Sequence, residues 1–306
     1  MLANKNTEEI ELFNKKVLLR KYICTNDKNR TIESKPRLKL TIKLTDSCNC
    51  SCPFCSNKNM KDFGEIDFKK IEKVIRELDR TGLLTRISIT GGEPMLYPEE
   101  LNRLINLIIS IDDKIDIGVT TNGFNLRMFA DFDNVEKIEG LHISRHHYDD
   151  GINRKIFNND CIATSDDIKF LQSKLKDKLI ININTVLVKG YIDNFEEVKK
   201  MCEYVDNLGV KRIGIISLLR LNDYSKEHFV NFNDIFKNND GSFFIGHHLC
   251  NYDYCNCIDG IYSSENNNII EFYARVVEEK KCPYVTSLVY TTDNKLKTGF
   301  EGETIY

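Results

Sequence analysis

The chain alternates between short apolar segments and longer segments in which apolar residues recur every three or four positions. The short segments are rich in Ile, Val and Leu, which is typical of strands in a parallel sheet. The longer segments predict amphipathic helices, because residues at these intervals share one helix face. Strands that alternate with helices in this way predict repeated βα units around a parallel sheet.

Six strands and five helices are predicted in the middle of the chain. Crossover connections between parallel strands are right-handed, so the pattern predicts an α/β fold in the form of a partial (β/α)6 TIM-like barrel. The predicted strands are 39–45, 86–90, 114–120, 138–144, 179–188 and 211–218. The predicted helices are 67–80, 98–111, 125–130, 165–175 and 194–208.

Three regions are predicted along the chain. Residues 1–36 form an N-terminal cap, with a strand pair at 16–23 and a polar turn at 26–29. Residues 37–219 form the core barrel, and 220–306 form a β-rich C-terminal extension that covers the barrel opening. The predicted late strands are 242–245, 249–257, 269–277 and 285–290, followed by a hairpin over 290–297 with its turn at Asp293 and Asn294.

Three cysteines follow the first predicted strand with the spacing C-x3-C-x2-C: Cys48, Cys52 and Cys55. A tight loop with this spacing can present three thiolates to an iron–sulfur cluster. Four cysteines would saturate a [4Fe–4S] cluster, so three leave one iron open to an external ligand. The alternative is a zinc site or a redox dithiol, but structural zinc sites usually have a second C-x2-C pair. Cys50 does not fit the spacing, and we interpret it as a non-ligand.

These cysteines, together with the sequence Gly91-Gly92-Glu93-Pro94 after the second predicted strand, resemble the radical SAM superfamily. The resemblance covers roughly residues 37–219. It implies that Cys48, Cys52 and Cys55 hold a [4Fe–4S] cluster whose open iron is chelated by S-adenosylmethionine (SAM). It also implies that an external one-electron reductant, of the flavodoxin or ferredoxin type, drives cleavage of SAM to a 5′-deoxyadenosyl radical.

Ligands of parallel α/β sheets bind at the carboxyl ends of the strands. The paired glycines allow the backbone to approach the ammonium of SAM, and Glu93 adds an acceptor. A tight βα turn and simple strand caps are the alternative interpretations. The resemblance to viperin-like and molybdenum-cofactor-cyclase-like members implies SAM contacts at the other strand ends. The predicted SAM-binding residues are Phe54, Gly91, Gly92, Glu93, Pro94, Thr120, Asn122, Ser144 and Asn184.

Histidines cluster around the end of the fourth predicted strand and are candidates for acid–base chemistry. Because alternate strand residues share a face, His142 points the same way as Ser144, which makes it a better candidate than His146 or His147. The catalytic residue itself is not identified by the pattern. The basic residue of viperin-like proteins falls here on Asn158, with Arg145 or Arg154 as possible substitutes.

Four late cysteines could bind an auxiliary cluster, as in molybdenum-cofactor cyclases and some peptide maturases. The alternative is that they are small buried apolar residues. The arginines of the cyclase are absent from 287–291, and the chain lacks its terminal double glycine, which argues against that enzyme. The late cysteines are Cys250, Cys255, Cys257 and Cys282.

Composition indicates the cellular compartment and the classes of partner. With 43 basic and 46 acidic residues the net charge is −3, so no global basic field indicates nucleic-acid binding. No stretch approaches the length of an apolar membrane span, and the first residues lack the apolar region of a signal peptide. Eleven cysteines in such a chain indicate a reducing compartment and metal chemistry. We therefore expect a cytoplasmic protein without a membrane partner.

The sequence predicts a radical SAM enzyme that abstracts hydrogen from a small polar metabolite, such as a nucleotide, a sugar or an amino acid, in natural-product or cofactor biosynthesis. Whether the reaction is an oxidation, an elimination or a rearrangement is left open. A maturase that modifies a ribosomal peptide is the first alternative. An iron–sulfur sensor or electron-transfer protein is another, but it would need a fourth ligand and would have no use for Gly91-Gly92-Glu93-Pro94.

Overall fold

One large α/β sheet organises the chain. The computed structural model describes residues 7–20, 37–57, 65–176, 178–247, 258–263, 269–275, 285 and 287–306. The strands are β1 (Thr7–Leu12), β2 (Lys15–Arg20), β3 (Leu38–Thr45), β4 (Leu84–Gly91), β5 (Asp116–Thr121), β6 (Ile138–Ser144), β7 (Ile181–Val186), β8 (Arg212–Ile216), β9 (Phe243–His247), β10 (Ile258–Ser263), β11 (Ile269–Arg275), β12 (Leu288–Tyr290) and β13 (Leu296–Lys297). The α-helices are α1 (Phe68–Asp79), α2 (Pro98–Ile111), α3 (Asp150–Phe157), α4 (Ser165–Leu175), α5 (Phe195–Asn207), α6 (Asp223–Glu227) and α7 (Phe232–Phe236).

The six predicted core strands lie side by side in chain order. The eleven-stranded sheet has the order β13-β12-β3-β4-β5-β6-β7-β8-β11-β10-β9. Strands β3 to β8 are parallel to one another, β12 adds in parallel to β3, and β11 adds in parallel to β8. The α/β class is therefore confirmed. The described pairings leave β13 and β9 as edges, so the barrel form is not confirmed.

The two faces of the sheet differ in polarity. On one face, Leu40, Ile89 and Ile143 are fully buried in a core shared with the helices. The opposite face, which we call the polar face, carries hydrophilic side chains instead. A parallel sheet is normally apolar on both faces, so a polar face predicts a ligand cavity. The polar face comprises Arg86, Ser88, Thr90, His142, Ser144, Asn182, Asn184 and Arg212.

The N-terminal hairpin packs against the C-terminal residues, whose strand β12 pairs with β3. Strands β1 and β2 form a hairpin that turns at Phe13 and Asn14, and Phe13 stacks on Tyr306 with ring centroids 4.3 Å apart. The predicted strand at 16–23 is thus confirmed in part, as β2, and it pairs with β1, which precedes it in the chain. The predicted turn at 26–29 lies outside the described residues. The hairpin β12–β13 turns through Asn294, which has a φ of 58°. The division into three regions stays a prediction.

Two local elements differ from expectation. In place of the α-helix predicted at 125–130, the structure has a 3-10 helix, Leu126–Asp131. Helix α3 was not predicted; Asp149 caps it by accepting from the backbone N–H of Ile152 at 2.8 Å, and the left-handed Asn158 ends it. The predicted strand at 249–257 lies outside the described residues. In the part of the chain that the structure describes, no helix is long and apolar enough to cross a membrane.

Candidate active site

The cysteine loop follows β3 and presents its thiols to one cavity. Cys48, Cys50, Cys52 and Cys55 all line this cavity, and none is in a disulfide. The loop closes through the N–H of Cys55, which donates to the carbonyl of Cys52 at 3.1 Å. The N–H of Cys50 donates to Sγ of Cys48 at 3.3 Å, and that of Asn57 donates to Sγ of Cys55 at 3.4 Å. Donors of this kind favour thiolates.

Cys48 and Cys50 differ in their acid–base character. A hydrogen bond from the Cys50 thiol lowers the pKa of Cys48 to about 6, against the opposing effect of burial. The same hydrogen bond, with burial, raises the pKa of Cys50. Burial raises the pKa of Cys52 to about 12 in the metal-free chain. Cys48 is therefore the readier thiolate of these two, and the assignment of Cys50 as a non-ligand stays a prediction.

The three thiols offer the donor set of an iron–sulfur cluster. Among the described residues, no three His, Cys, Asp or Glu side chains form a group that could hold one metal ion. In a [4Fe–4S] cluster each thiolate binds a different iron, so the ligands surround a volume rather than converge on a point. Cys48, Cys52 and Cys55 all line one cavity. The donor set thus fits the group that the C-x3-C-x2-C spacing predicts.

Helix α3 and the segment after it hold the cysteine loop from one side. The N–H of Ser51 donates to the carbonyl of Phe157 at 3.2 Å, and Nδ2 of Asn158 donates to Oγ of Ser51 at 2.7 Å. Nδ2 of Asn49 donates to the carbonyl of Cys161 at 2.8 Å. Asn158, where viperin-like proteins have a basic residue, thus supports the loop. Arg145 is fully buried in an ion pair with Asp150 at 2.5 Å and does not line the cavity.

The two glycines at the end of β4 pack directly on the backbone of the segment that precedes Cys48. The N–H of Gly92 donates to the carbonyl of Thr45 at 2.7 Å. A Cβ on Gly92 would lie 2.0 Å from the carbonyl oxygen of Ser47, and one on Gly91 would lie 2.2 Å from that of Thr45. Gly91 also has a φ of 141°, which strongly favours glycine. Both glycines line the cavity, and their lack of a side chain lets β4 meet the cysteine loop.

Glu93 joins this turn to the end of β5. Its side chain is only 1% exposed, and one carboxylate oxygen accepts from Oγ1 of Thr121 at 2.6 Å and from the N–H of Met95 at 2.9 Å. The other oxygen accepts from the N–H of Asn122 at 2.6 Å. Burial raises the pKa of Glu93 to about 7, against these three donors. Glu93 lines the cavity, but its oxygens are already engaged by the protein.

The strand ends complete the same cavity. Thr120 and Asn122 close it at β5, Ser144 at β6, and Phe54 faces it from the cysteine loop. Nδ2 of Asn122 donates to Oδ1 of Asn49 at 2.8 Å and to Sγ of Cys50 at 3.2 Å. The structure therefore brings seven predicted SAM-binding residues together with the cysteines: Phe54, Gly91, Gly92, Glu93, Thr120, Asn122 and Ser144.

Two predicted SAM-binding residues lie elsewhere. Pro94 is buried in the 3-10 turn Pro94–Leu96, and it does not line the cavity. Asn184 lies on the polar face below the cavity, where its Oδ1 accepts from the hydroxyl of Tyr273 at 2.8 Å. The expected contact between Asn184 and the ribose of SAM is therefore not supported by the lining of this cavity.

His146 lines the cavity although the strand alternation favoured His142. Its ring stacks on Phe157 with centroids 4.8 Å apart and meets Phe54 edge-on at 5.4 Å. Its Nδ1 accepts from the N–H of Val186 at 3.2 Å, which assigns the proton to Nε2. Burial, then the charge of Arg145, lowers its pKa to about 3, so the ring is neutral near pH 7.

His142 faces a second cavity on the polar face. It shares the face of Ser144, as predicted, but lies two residues closer to the amino end of β6, about 6.6 Å away. Its Nε2 lies 3.3 Å from Nη2 of Arg86, and since arginine only donates, Nε2 is the acceptor. Burial, then Arg86 and Arg212, lowers its pKa to about 4. The structure therefore separates His142 from the cysteine cavity.

We expect His142 to make the chain less stable in acid. Its pKa is about 4 when the chain is folded, against 6.5 ordinarily. Between pH 4 and pH 6.5 the unfolded chain therefore binds a proton at His142 that the folded chain does not bind. The stability that His142 contributes is present above pH 6.5 and is lost as the pH falls through 4, by about 3 kcal/mol. Denaturant unfolding of the cluster-free chain at pH 7 and pH 4.5 should show a smaller loss in His142→Gln. Equal losses in the two chains would contradict the expectation.

Known proteins resemble this chain in sequence and in fold. Residues 42–232 match the sequence profile described as the Radical SAM superfamily. A GTP 3′,8-cyclase of Staphylococcus epidermidis is 26% identical over 211 residues, which cover 66% of this chain and 59% of that enzyme. SuiB of Streptococcus suis, solved with bound S-adenosylmethionine, matches with a TM-score of 0.58 at 14% identity, covering 88% of this chain and 62% of SuiB. SuiB has also been solved with a precursor peptide, with a TM-score of 0.58 at 15% identity, covering 86% of this chain and 59% of SuiB.

The profile match spans more than half of the chain, so the chain belongs to the radical SAM superfamily. It is accordingly an enzyme, and its cofactors are a [4Fe–4S] cluster and SAM. The likeness to SuiB is a likeness of fold. The chain spans less than two thirds of the length of the cyclase and of SuiB.

Proposed function

We propose that Cys48, Cys52 and Cys55 hold the [4Fe–4S] cluster and that SAM binds in the cavity that they line. The observation that carries the proposal is the single cavity shared by the three thiols, the glycines of the β4 turn and the ends of β5 and β6. Because the chain belongs to the radical SAM superfamily, this combination of lining residues supports binding of SAM beside the open iron. When bound, the cluster and SAM supply the radical that abstracts hydrogen from the substrate.

The residues of the chain orient the cofactors and exclude water. Phe54, His146 and Phe157 form an aromatic wall suited to the adenine ring. His146 and Ser144 line the cavity, and we assign Nε2 of His146 and the hydroxyl of Ser144 to hydrogen bonds with SAM. Glu93 acts indirectly, since it joins the turn after β4 to Asn122. We further propose that an external protein of the flavodoxin or ferredoxin type reduces the cluster by one electron.

For the substrate we favour a small polar metabolite, in cofactor or natural-product biosynthesis. Two observations support this choice: the polar face of the sheet continues below the cysteine cavity, and one relative is a GTP 3′,8-cyclase. The peptide-maturase alternative is favoured by one observation. Within the described sheet β9 is an edge strand, and its Phe244 is 76% exposed, as strand addition of a peptide would require.

We also propose that the sheet curves around the site to form the predicted partial barrel. Nδ2 of Asn222, after β8, donates to the carbonyl of Pro53, after β3, at 3.0 Å. These two strands have four others between them. In a flat sheet they would be about 24 Å apart, at about 4.8 Å per strand. Since Gly91 at the end of β4 and Ile216 at the end of β8 also line one cavity, the strand ends themselves converge, which supports curvature around the site.

The test is anaerobic cleavage of SAM. The chain is reconstituted with iron and sulfide, given SAM and dithionite, and assayed for 5′-deoxyadenosine and methionine. We expect about four irons per chain and formation of the nucleoside. A fully loaded cluster without cleavage would contradict the proposal and favour a sensor. About eight irons would instead indicate an auxiliary cluster at the late cysteines, which lie outside the described residues.

A further inference from the structure

The second cavity lies on the polar face, between the middle of the sheet and β9–β11. It has a volume of about 640 Å³, within the usual range of about 300–1,000 Å³ for ligand sites. Strands from both the core and the C-terminal part contribute to it. Its polar lining includes Arg86, His142, Asn182, Arg212, Tyr273 and Arg275. None of these residues has a role in the cysteine cavity.

Glycines on the strands keep this cavity open for long side chains. A Cβ on Gly118 would lie 2.9 Å from Nη2 of Arg86, and one on Gly214 would lie 2.4 Å from the ring of Tyr273. Gly118 pairs with Gly140 across β5 and β6. Glycine weakens a strand interior and often marks close approach by another group. Here it lets the arginine and the tyrosine lie across the sheet.

Two arginines of the cavity are each held by one carboxylate. Arg86 pairs with Glu139 at 3.0 Å, and Nε of Arg212 pairs with Glu271 at 2.7 Å. Among the described residues, the two terminal nitrogens of Arg212 have no hydrogen-bond partner. Guanidinium groups that are held by one carboxylate but keep free donors are suited to bind a further anion.

This cavity lies below the cysteine cavity on the same face of the same strands. On β6, His142 faces the lower cavity and Ser144 the upper one. On β7, Asn182 lines the lower cavity and Val186 the upper one. Asn184, between them, is fixed by Tyr273 at 2.8 Å. The lining residues are two positions apart on β6 and four apart on β7, about 6.6 Å and about 13 Å along the strands, so the lower cavity comes nearest to the upper one at β6.

We propose that the lower cavity binds the substrate through an anionic group, a carboxylate or a phosphate, held by Arg86 and Arg212. This inference rests on the proposed function, since it supplies the substrate site for hydrogen abstraction. Arg212 offers its terminal nitrogens, while His142 and Glu139 orient Arg86. Asn182 and Tyr273 add neutral hydrogen-bonding groups for the rest of the molecule.

The test uses the reconstituted holoenzyme saturated with SAM. Equilibrium dialysis with radiolabelled inorganic phosphate and with radiolabelled succinate, at constant ionic strength, measures anion binding. We expect saturable binding of about one anion per chain, weakened at least about tenfold in Arg212→Gln, as for loss of one charge-assisted hydrogen bond. The tighter of the two anions identifies the anionic group of the substrate.

Arg80→Gln is the matched control, because Arg80 is an exposed arginine in a surface pair with Glu77. This variant should bind the anion as the wild type does. Arg212→Gln should keep its iron, which shows an intact fold. Absence of saturable binding, or equal binding by Arg212→Gln, would overturn the inference while leaving the proposed function standing. A wild type that forms no 5′-deoxyadenosine would overturn the proposed function, and with it the substrate role of this cavity.

Discussion

Replacing Cys52 with serine is expected to abolish both cluster assembly and SAM cleavage. A hydroxyl is a far poorer iron ligand than a thiolate, and Cys52 lines the cavity with Cys48 and Cys55. We expect iron after reconstitution to fall from about four per chain to near zero. Formation of 5′-deoxyadenosine should fall by at least about a thousandfold, the scale of losing an essential catalytic group. Iron analysis and chromatography of the nucleoside measure the two effects.

Cys50→Ser is the matched control in the same loop. Cys50 lines the same cavity, but its thiol donates to Oδ1 of Asn49 at 3.7 Å. A serine hydroxyl can keep that donor role, so this variant should retain its iron and cleave SAM within about tenfold of the wild type. Loss of the cluster in Cys50→Ser, or its retention in Cys52→Ser, would contradict the ligand assignment.

Glu93→Ala is expected to cause the second large effect, on stability and on SAM binding together. The substitution leaves three buried donors without an acceptor: Oγ1 of Thr121 and the N–H groups of Met95 and Asn122. At about 1–3 kcal/mol for each such group, and with incomplete additivity, the free energy of unfolding should fall by about 3–5 kcal/mol. Denaturant unfolding of the cluster-free chain at pH 7 measures this change.

Glu93→Gln separates the hydrogen bonds from the charge. Its amide oxygen can still accept from two donors, while the amide nitrogen faces the remaining one, so the loss should be clearly smaller than in Glu93→Ala. SAM affinity of the reconstituted variants should follow the same order, because Glu93 fixes Asn122 beside the cysteine loop. An alanine variant as stable as the wild type would show that the carboxylate does not hold this turn.

The parts of the site that local sequence determines were predictable. The cysteine spacing, the two glycines and the strand ends all depend on residues close in the chain. Thr120 and Ser144 could be placed because strand alternation and the carboxyl-end rule suffice for them. The glycine turn was expected to approach SAM, and the structure adds a reason for the glycines that spacing alone cannot supply: the backbone of Thr45 and Ser47 is too close for a side chain.

The parts that distant pairings determine were not predictable. Asn184 bonds to Tyr273, which comes from a strand 89 residues later that joins the sheet beside β8. The lower cavity that contains His142 depends on the same pairing. His146 lies beyond the end of β6, where strand alternation no longer applies, and its place depends on α3 through Asn153 and Phe157. The Asp149 cap was the available signal for α3.

The most direct test of the central claim is electron paramagnetic resonance of the reduced holoenzyme with and without SAM. The claim is that three cysteines hold a [4Fe–4S] cluster whose open iron SAM chelates. It predicts the signal of a reduced cluster whose g-values change when SAM is added, in the wild type and in Cys50→Ser alike. A reduced cluster whose spectrum is the same with saturating SAM would contradict the claim.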